Sequence, residues 1–219
     1  MRTFKFSILI LQFSMLFALS VKALDIPRPV IPGQEPWRKP FNAALEKKIT
    51  ADFKKKPFDE VLDYFRDQTK CTIVVDPAAL DSKPLVNLTA QNIAFGQLLK
   101  QALQPLNMEY EIRDQAFFLY NPKKLDKTML LPGDLHVERM LDNRAERLNF
   151  EPENMPAGDA LKQLTEQPGI KLAIDPAIAK NLVTMKLGEI NLGYAIRWVI
   201  RFAGAKIVVD RDGMKAVKR

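Results

Sequence analysis

The sequence predicts an α+β protein built from two tandem modules, each ordered β-α-β-β-α-β-β, with two helices packed on small mixed sheets. Three observations predict it. Runs of strand length, alternating or wholly apolar, lie between stretches with helical periodicity. The same order of patterns occurs twice: Pro57-Phe-Asp-Glu-Val-Leu62 stands 99 positions before Pro156-Ala-Gly-Asp-Ala-Leu161. A chain of 219 residues, 47% of them hydrophobic, has enough apolar surface for one or two modest cores. The register holds from Gln68 and Gln167 to Asp76-Pro77-Ala78 and Asp175-Pro176-Ala177. After a two-residue deletion it sets Leu85-Val86 on Leu182-Val183, Ile93 on Ile190 and Gly96 on Gly193. Identities are few, and the order of apolar patterns carries the repeat.

The chain opens with a basic start, Arg2 and Lys5, an apolar run from Phe6 to Leu19, and Val21-Lys22-Ala23. That is the order of a cleavable secretory signal, cut near Ala23. The run is short for a membrane span, which takes about 20 residues; an uncleaved anchor helix is the alternative. Residues 24–48 form a lead-in, and Pro27, Pro29, Pro32, Pro36 and Pro40 make it extended up to residue 40. Asn42 to Ile49 add a short helix.

Module one spans 49–120 and module two 147–219. Each begins with a short strand, Ile49–Phe53 or Arg147–Phe150. In the first, Ile49, Ala51 and Phe53 alternate with polar residues, the period of a half-buried strand. A proline then opens a helix, where its missing N–H costs nothing. Asp59, Glu60 and Asp159 suit the positive end of the helix dipole. Val61, Leu62 and Phe65 share one helix face, as do Ala160, Leu161 and Leu164. An apolar strand follows, Thr72–Val75 or Lys171–Ile174, stopped by Asp-Pro. Next comes a strand from Leu85 to Thr89, or Leu182 to Leu187. The second helix has the stripe Phe95, Leu98, Leu99, Ala102 and Leu103, or Leu192, Ala195, Ile196, Val199 and Ile200. Each module closes on a hairpin. The first runs Met108–Ile112 and Phe117–Tyr120 about a turn at Asp114-Gln115. The second starts with Lys206–Val209 and turns at Asp212-Gly213, a favoured tight pair. Residues 121–146 read as a linker, with Met129–Leu131 a possible extra strand.

Each copy resembles the short N-terminal domain shared by secretins and TonB-dependent signalling receptors. The residues that carry the resemblance in copy one are Ile49-Thr-Ala-Asp-Phe53, Pro57-Phe-Asp-Glu-Val-Leu62, Ile73-Val-Val-Asp-Pro77, Leu85-Val-Asn-Leu88, Ile93-Ala-Phe-Gly-Gln-Leu98-Leu99 and the hairpin ending at Tyr120. In copy two they are Met155-Pro156, Leu161, Leu164, Ile174-Asp-Pro176, Leu192-Gly193 and the strands around Val208. The resemblance covers most of the chain after the leader. It implies a periplasmic interaction module that meets inner-membrane or transport partners through sheet edges and domain faces. Secretins carry a pore-forming β region after these domains, whereas this sequence ends at Arg219 directly after the second hairpin. Function is therefore expected in binding.

Residues suited to catalysis, metal binding or cofactor binding are not found together. His136 is the only histidine, in the linker beside Asp134, Glu138 and Arg139, so a metal site of several histidines or cysteines has no ligands. Cys71 is the only cysteine; it cannot form an intramolecular disulfide and sits in an apolar run, as a core residue would. Asp76 and Asp175 recur at one repeat position, and each is expected to cap the turn before Pro-Ala. No phosphate-binding loop is present, since Gly188 to Gly193 lacks the required lysine and glycine spacing.

The candidate partner-binding residues are Arg197, Trp198 and Arg201 on the last helix. The two arginines lie four apart on one face, and Trp198 lies off the centre of the apolar stripe. Two roles fit: an exposed contact patch for an acidic partner, or a solvated helix face with Trp198 filling the interface between the copies. The formal net charge of +7 falls by three with Arg2, Lys5 and Lys22 of the leader, to +4. That mild excess does not by itself argue for nucleic acid as a partner. The leading expectation is a non-enzymatic periplasmic module that binds an envelope or secretion-system protein, or itself. The alternative is a polyanion-binding protein that uses Arg211, Lys215, Lys218 and Arg219.

Overall fold

The computed structural model of the chain describes residues 35–80, 82–127, 146–166, 170–210 and 213–219. The leader, the lead-in before residue 35, Met129–Leu131, His136 and the Asp212 side of the second hairpin turn lie outside the described residues. Glu35–Arg219 is one compact unit, and its fold is α+β.

A 3-10 turn at Pro36–Arg38 runs into helix α1, Lys39–Glu46. This corrects the extended reading up to residue 40. Pro36 and Pro40 sit in first turns, where no helical N–H is needed. Phe41 and Ala44 bury against the first half.

The first half continues with β1 (Lys48–Pro57), α2 (Phe58–Thr69), β2 (Ile73–Val75), β3 (Leu85–Ala94), α3 (Phe95–Leu103), β4 (Glu109–Arg113) and β5 (Ala116–Tyr120). The second half is β6 (Arg147–Phe150), β7 (Met155–Pro156), α4 (Ala157–Thr165), β8 (Leu172–Ile174), α5 (Pro176–Ala179), β9 (Leu182–Val183), β10 (Leu187–Asn191), α6 (Leu192–Phe202), β11 (Ala205–Asp210) and β12 (Gly213–Lys218). Pro57 and Pro156 are the residues before their helices rather than the first helical residues.

Strand pairing is alike in the two halves. β1 runs antiparallel to β3, while β6 and β7 run antiparallel to β10 and β9. β2 lies parallel to β5, which is antiparallel to β4; β8 lies parallel to β12, which is antiparallel to β11. The single strand expected over Leu182 to Leu187 is two, β9 and β10. The long ribbon of the first half also shifts register between Phe53 and Lys56, so the break falls where the ribbon is already irregular.

The likeness extends to single hydrogen bonds. The Phe58 N–H donates to Pro84 O at 3.0 Å, as Ala157 donates to Asn181 O at 2.8 Å. Asn92 N–H donates to Thr50 Oγ1 at 3.1 Å, as Glu189 donates to Asn149 Oδ1 at 2.8 Å. Lys55 and Asn154 share a left-handed backbone, with φ of 50° and 48°, as do Asn92 and Glu189, with φ of 51° and 50°. Such a backbone costs an ordinary L residue about 1–2 kcal/mol, so its recurrence reflects the ribbon's geometry.

The halves differ in how their sheets are covered. In the first, Ile73, Phe117 and Leu119 face a core shared with α2 and α3, built around Phe65, Phe95 and Leu98. The opposite face, Val74, Ala116 and Phe118, joins the second half's core, with Trp198, Ile196 and Leu161. The first sheet is thus buried on both faces. α6 lies between the two sheets and is buried from Leu192 to Arg201. In the second sheet Met214 and Ala216 point into the core, while Ala173, Lys206 and Lys215 on the far side are exposed.

Candidate partner-binding surfaces

Arg197, Trp198 and Arg201 do meet one partner, but it belongs to the same chain. The β4–β5 turn, Asp114-Gln115, holds both residues at positive φ and turns Asp114 toward α6. Trp198 Nε1–H donates to Asp114 O at 3.0 Å, and the indole packs on Phe118 with ring centroids 5.2 Å apart. Arg197 and Arg201 approach the Asp114 carboxylate at 3.4 and 2.5 Å. The Arg197 guanidinium also lies over the Tyr194 ring, and Arg201 over Trp198. The Asn191 N–H donates to Gln115 Oε1 at 3.0 Å.

The three candidates are 8%, 0% and 8% exposed, which corrects the reading of the arginines as an exposed patch or a solvated face, while Trp198 fills the interface between the halves as one reading expected. Their charge is answered by Asp114, and their apolar surface by Phe118. Burial lowers the pKa of Arg201, and Asp114 opposes that shift. Sequence reasoning missed Asp114, treating it only as turn chemistry. The available signal was an Arg-Trp-x-x-Arg pattern on a helix whose apolar stripe was already complete. Such a helix needs a second apolar and acidic surface to cover it.

The other singled-out residues have structural contacts. Asp76 and Asp175 each accept the backbone N–H two residues on, from Ala78 at 3.0 Å and Ala177 at 2.9 Å. Asp76 is only 2% exposed, and burial raises its pKa despite the Ala78 hydrogen bond. Cys71 is buried, and that burial pushes its thiol pKa up. Among the described residues no group of three or more His, Cys, Asp or Glu is placed to hold a metal ion. None of the described helices is long and apolar enough to cross a membrane.

A cleft of about 410 Å³ separates α2 from residues 151–153 and 184–186. Phe58, Leu62 and Met185 form part of its apolar wall. Across it, Lys186 Nζ reaches Asp63 at 3.0 Å, and Arg66 pairs with the same carboxylate at 2.7 Å. Burial opposes ionisation of Asp63, but these two hydrogen bonds overcome it and hold its pKa below the ordinary value. Arg66 also donates to Ile73 O at 2.7 Å. The cleft is thereby crossed by the Lys186–Asp63 ion pair, which joins the halves.

In the two three-stranded sheets the longer edge strands are β4 and β11, and among the described residues β4 pairs with β5 alone and β11 with β12 alone. β4 reads Glu-Tyr-Glu-Ile-Arg, and Glu111 is paired with Arg113. Charges of this kind blunt an edge against pairing. β11 reads Ala-Lys-Ile-Val-Val-Asp, with Ile207 and Val208 half-buried and Val209 37% exposed. No family model and no curated protein matches the chain.

Proposed function

We propose that the chain is a protein-interaction module, exported to the cell envelope, that takes an extended strand of a partner along β11. The observation that carries this reading is the contrast between the two edges: β11 is apolar from Ile207 to Val209 and, among the described residues, pairs on one side only, while β4 is guarded by charge. An added strand gains main-chain hydrogen bonds from the edge and selectivity from alternate side chains. The leader sequence supports export, and the resemblance to secretin and TonB-receptor short N-terminal domains supports an envelope protein as partner. The polyanion reading rests on the C-terminal cations, and of these Arg219 already donates its Nε–H to Ala205 O at 2.8 Å.

Residues of an antiparallel pair alternate between exchanging both hydrogen bonds with the facing strand and pointing both groups away. Asp210 pairs with Gly213 across the hairpin, so Val209 and Ile207 present theirs to the open side. Val209→Pro removes one outward donor and leaves the β11–β12 ladder intact. Immobilised wild-type chain is expected to retain an envelope protein that the V209P chain loses. Retention by both chains, or by neither, overturns strand addition.

A further inference from the structure

Among the described residues, the second sheet has an uncovered face where the first has a covered one. By the repeat, Val74 corresponds to Ala173, Ala116 to Gly213, Phe118 to Lys215 and Tyr120 to Val217. In the first half this face is apolar and aromatic, and α6 covers it. In the second it carries Ala173, Val208 and Val217, with exposed Lys171, Lys206 and Lys215. Register places Lys215 beside Val208 and Ala173, and Lys206 beside Val217, so the lysines are interleaved with small apolar residues.

We propose that this face docks an acidic amphipathic helix of a partner protein. The proposal rests on reading the chain as an interaction module but uses a different surface from the β11 edge. Three arguments fix the occupant. The equivalent face of the first half is covered by a helix, so sheets of this shape accept one. Small residues let a helix approach closely, and lysines choose carboxylates on its flanks. β12 has six residues and runs about 20 Å, the length of a helix of about 13 residues. Nucleic acid fits less well, because the position of Tyr120 is held by Val217, and stacking of bases needs exposed aromatic rings. A second copy fits less well too. The most acidic helix, α2, has Glu60, Asp63 and Asp67 already in ion pairs with Lys56, Arg66 and Lys70. The outward residues of α3, Lys100 and Gln101, bring no negative charge.

The test uses isotope-labelled full chain and three probes. They are a helical peptide with an Ala/Leu stripe flanked by glutamates, the same peptide with lysines, and a single-stranded DNA oligomer. Amide shifts on adding the glutamate peptide are expected at 171–175, 205–209 and 213–217. The variant K206E/K215E is expected to lose about tenfold in affinity for that peptide and to gain affinity for the lysine peptide. The charge swap serves as its own folding control. The V209P chain should still bind the glutamate peptide, so failure of strand addition and failure of helix docking are separable. Shifts elsewhere, equal binding of both peptides, or tighter binding of the DNA overturns the proposal. So does lysine-dependent self-association of the free chain.

Discussion

Asp114 shows how much one residue can decide. Two buried arginines and an indole depend on it, and removing one partner from a buried charge cluster typically costs about 3–5 kcal/mol. Asp114→Ala is expected to destabilise by about that amount in denaturant unfolding; a loss below about 1 kcal/mol would show the cluster to be ornamental. Trp198→Phe keeps the packing on Phe118 but loses the bond to Asp114 O, and should cost about 1–2 kcal/mol. Asp76 works the other way. Its pKa is raised in the fold, so the native state binds the proton more tightly than the unfolded chain does. Its contribution is fullest below the unfolded pKa and is lost as pH rises through the higher folded value. Asp76→Asn retains the acceptor for Ala78 without the charge. It should raise the melting temperature at pH 7 and leave it little changed at pH 3; a lower value at pH 7 would refute this account of Asp76. Glu189, at φ 50°, has no reason in its side chain to adopt that backbone, and Glu189→Gly should stabilise by about 0.5–1 kcal/mol.

At the scale of elements, the sequence was legible wherever periodicity was clean. The stripes of α2, α3 and α4 match their buried faces, whereas the stripe of α6 is only part of a helix buried from Leu192 to Arg201. The offsets of 99 and 97 that align the sequence are those at which hydrogen bonds and left-handed residues recur. Strand ends were less legible. β1 and β3 each run to ten residues because their bulges let pairing continue past points where the alternation fails. The short helix expected over Asn42 to Ile49 is present as α1 but starts earlier, at Lys39, since the proline that blocks a helix interior is welcome in its first turn. Of the candidate site, the place of Trp198 between the halves was legible, and the pairing of Arg197 and Arg201 with Asp114 was not. Periodicity finds the face a helix turns to its own sheet. It gives no sign of what covers the reverse side, which is set by long-range contact with a hairpin tip 84 residues away from Trp198.

Taken whole, Glu35–Arg219 holds two cores that touch through one sheet. Val74, Ala116 and Phe118 are buried only while α6 is in place, so neither half presents a finished surface without the other. Unfolding is expected as one cooperative transition in calorimetry, with equal calorimetric and van't Hoff enthalpies. Two resolved transitions would mean that the seam is weak. The seam also determines what the molecule emits. The chain has two tryptophans. Trp198 sits against Phe118, and Trp37 packs 5.9 Å from the Tyr194 ring of α6. Both indoles therefore lie where the halves meet, and the protein carries an intrinsic optical gauge of their separation. A red shift of ultraviolet fluorescence that precedes any loss of far-ultraviolet dichroism would register the halves parting while each still keeps its helices.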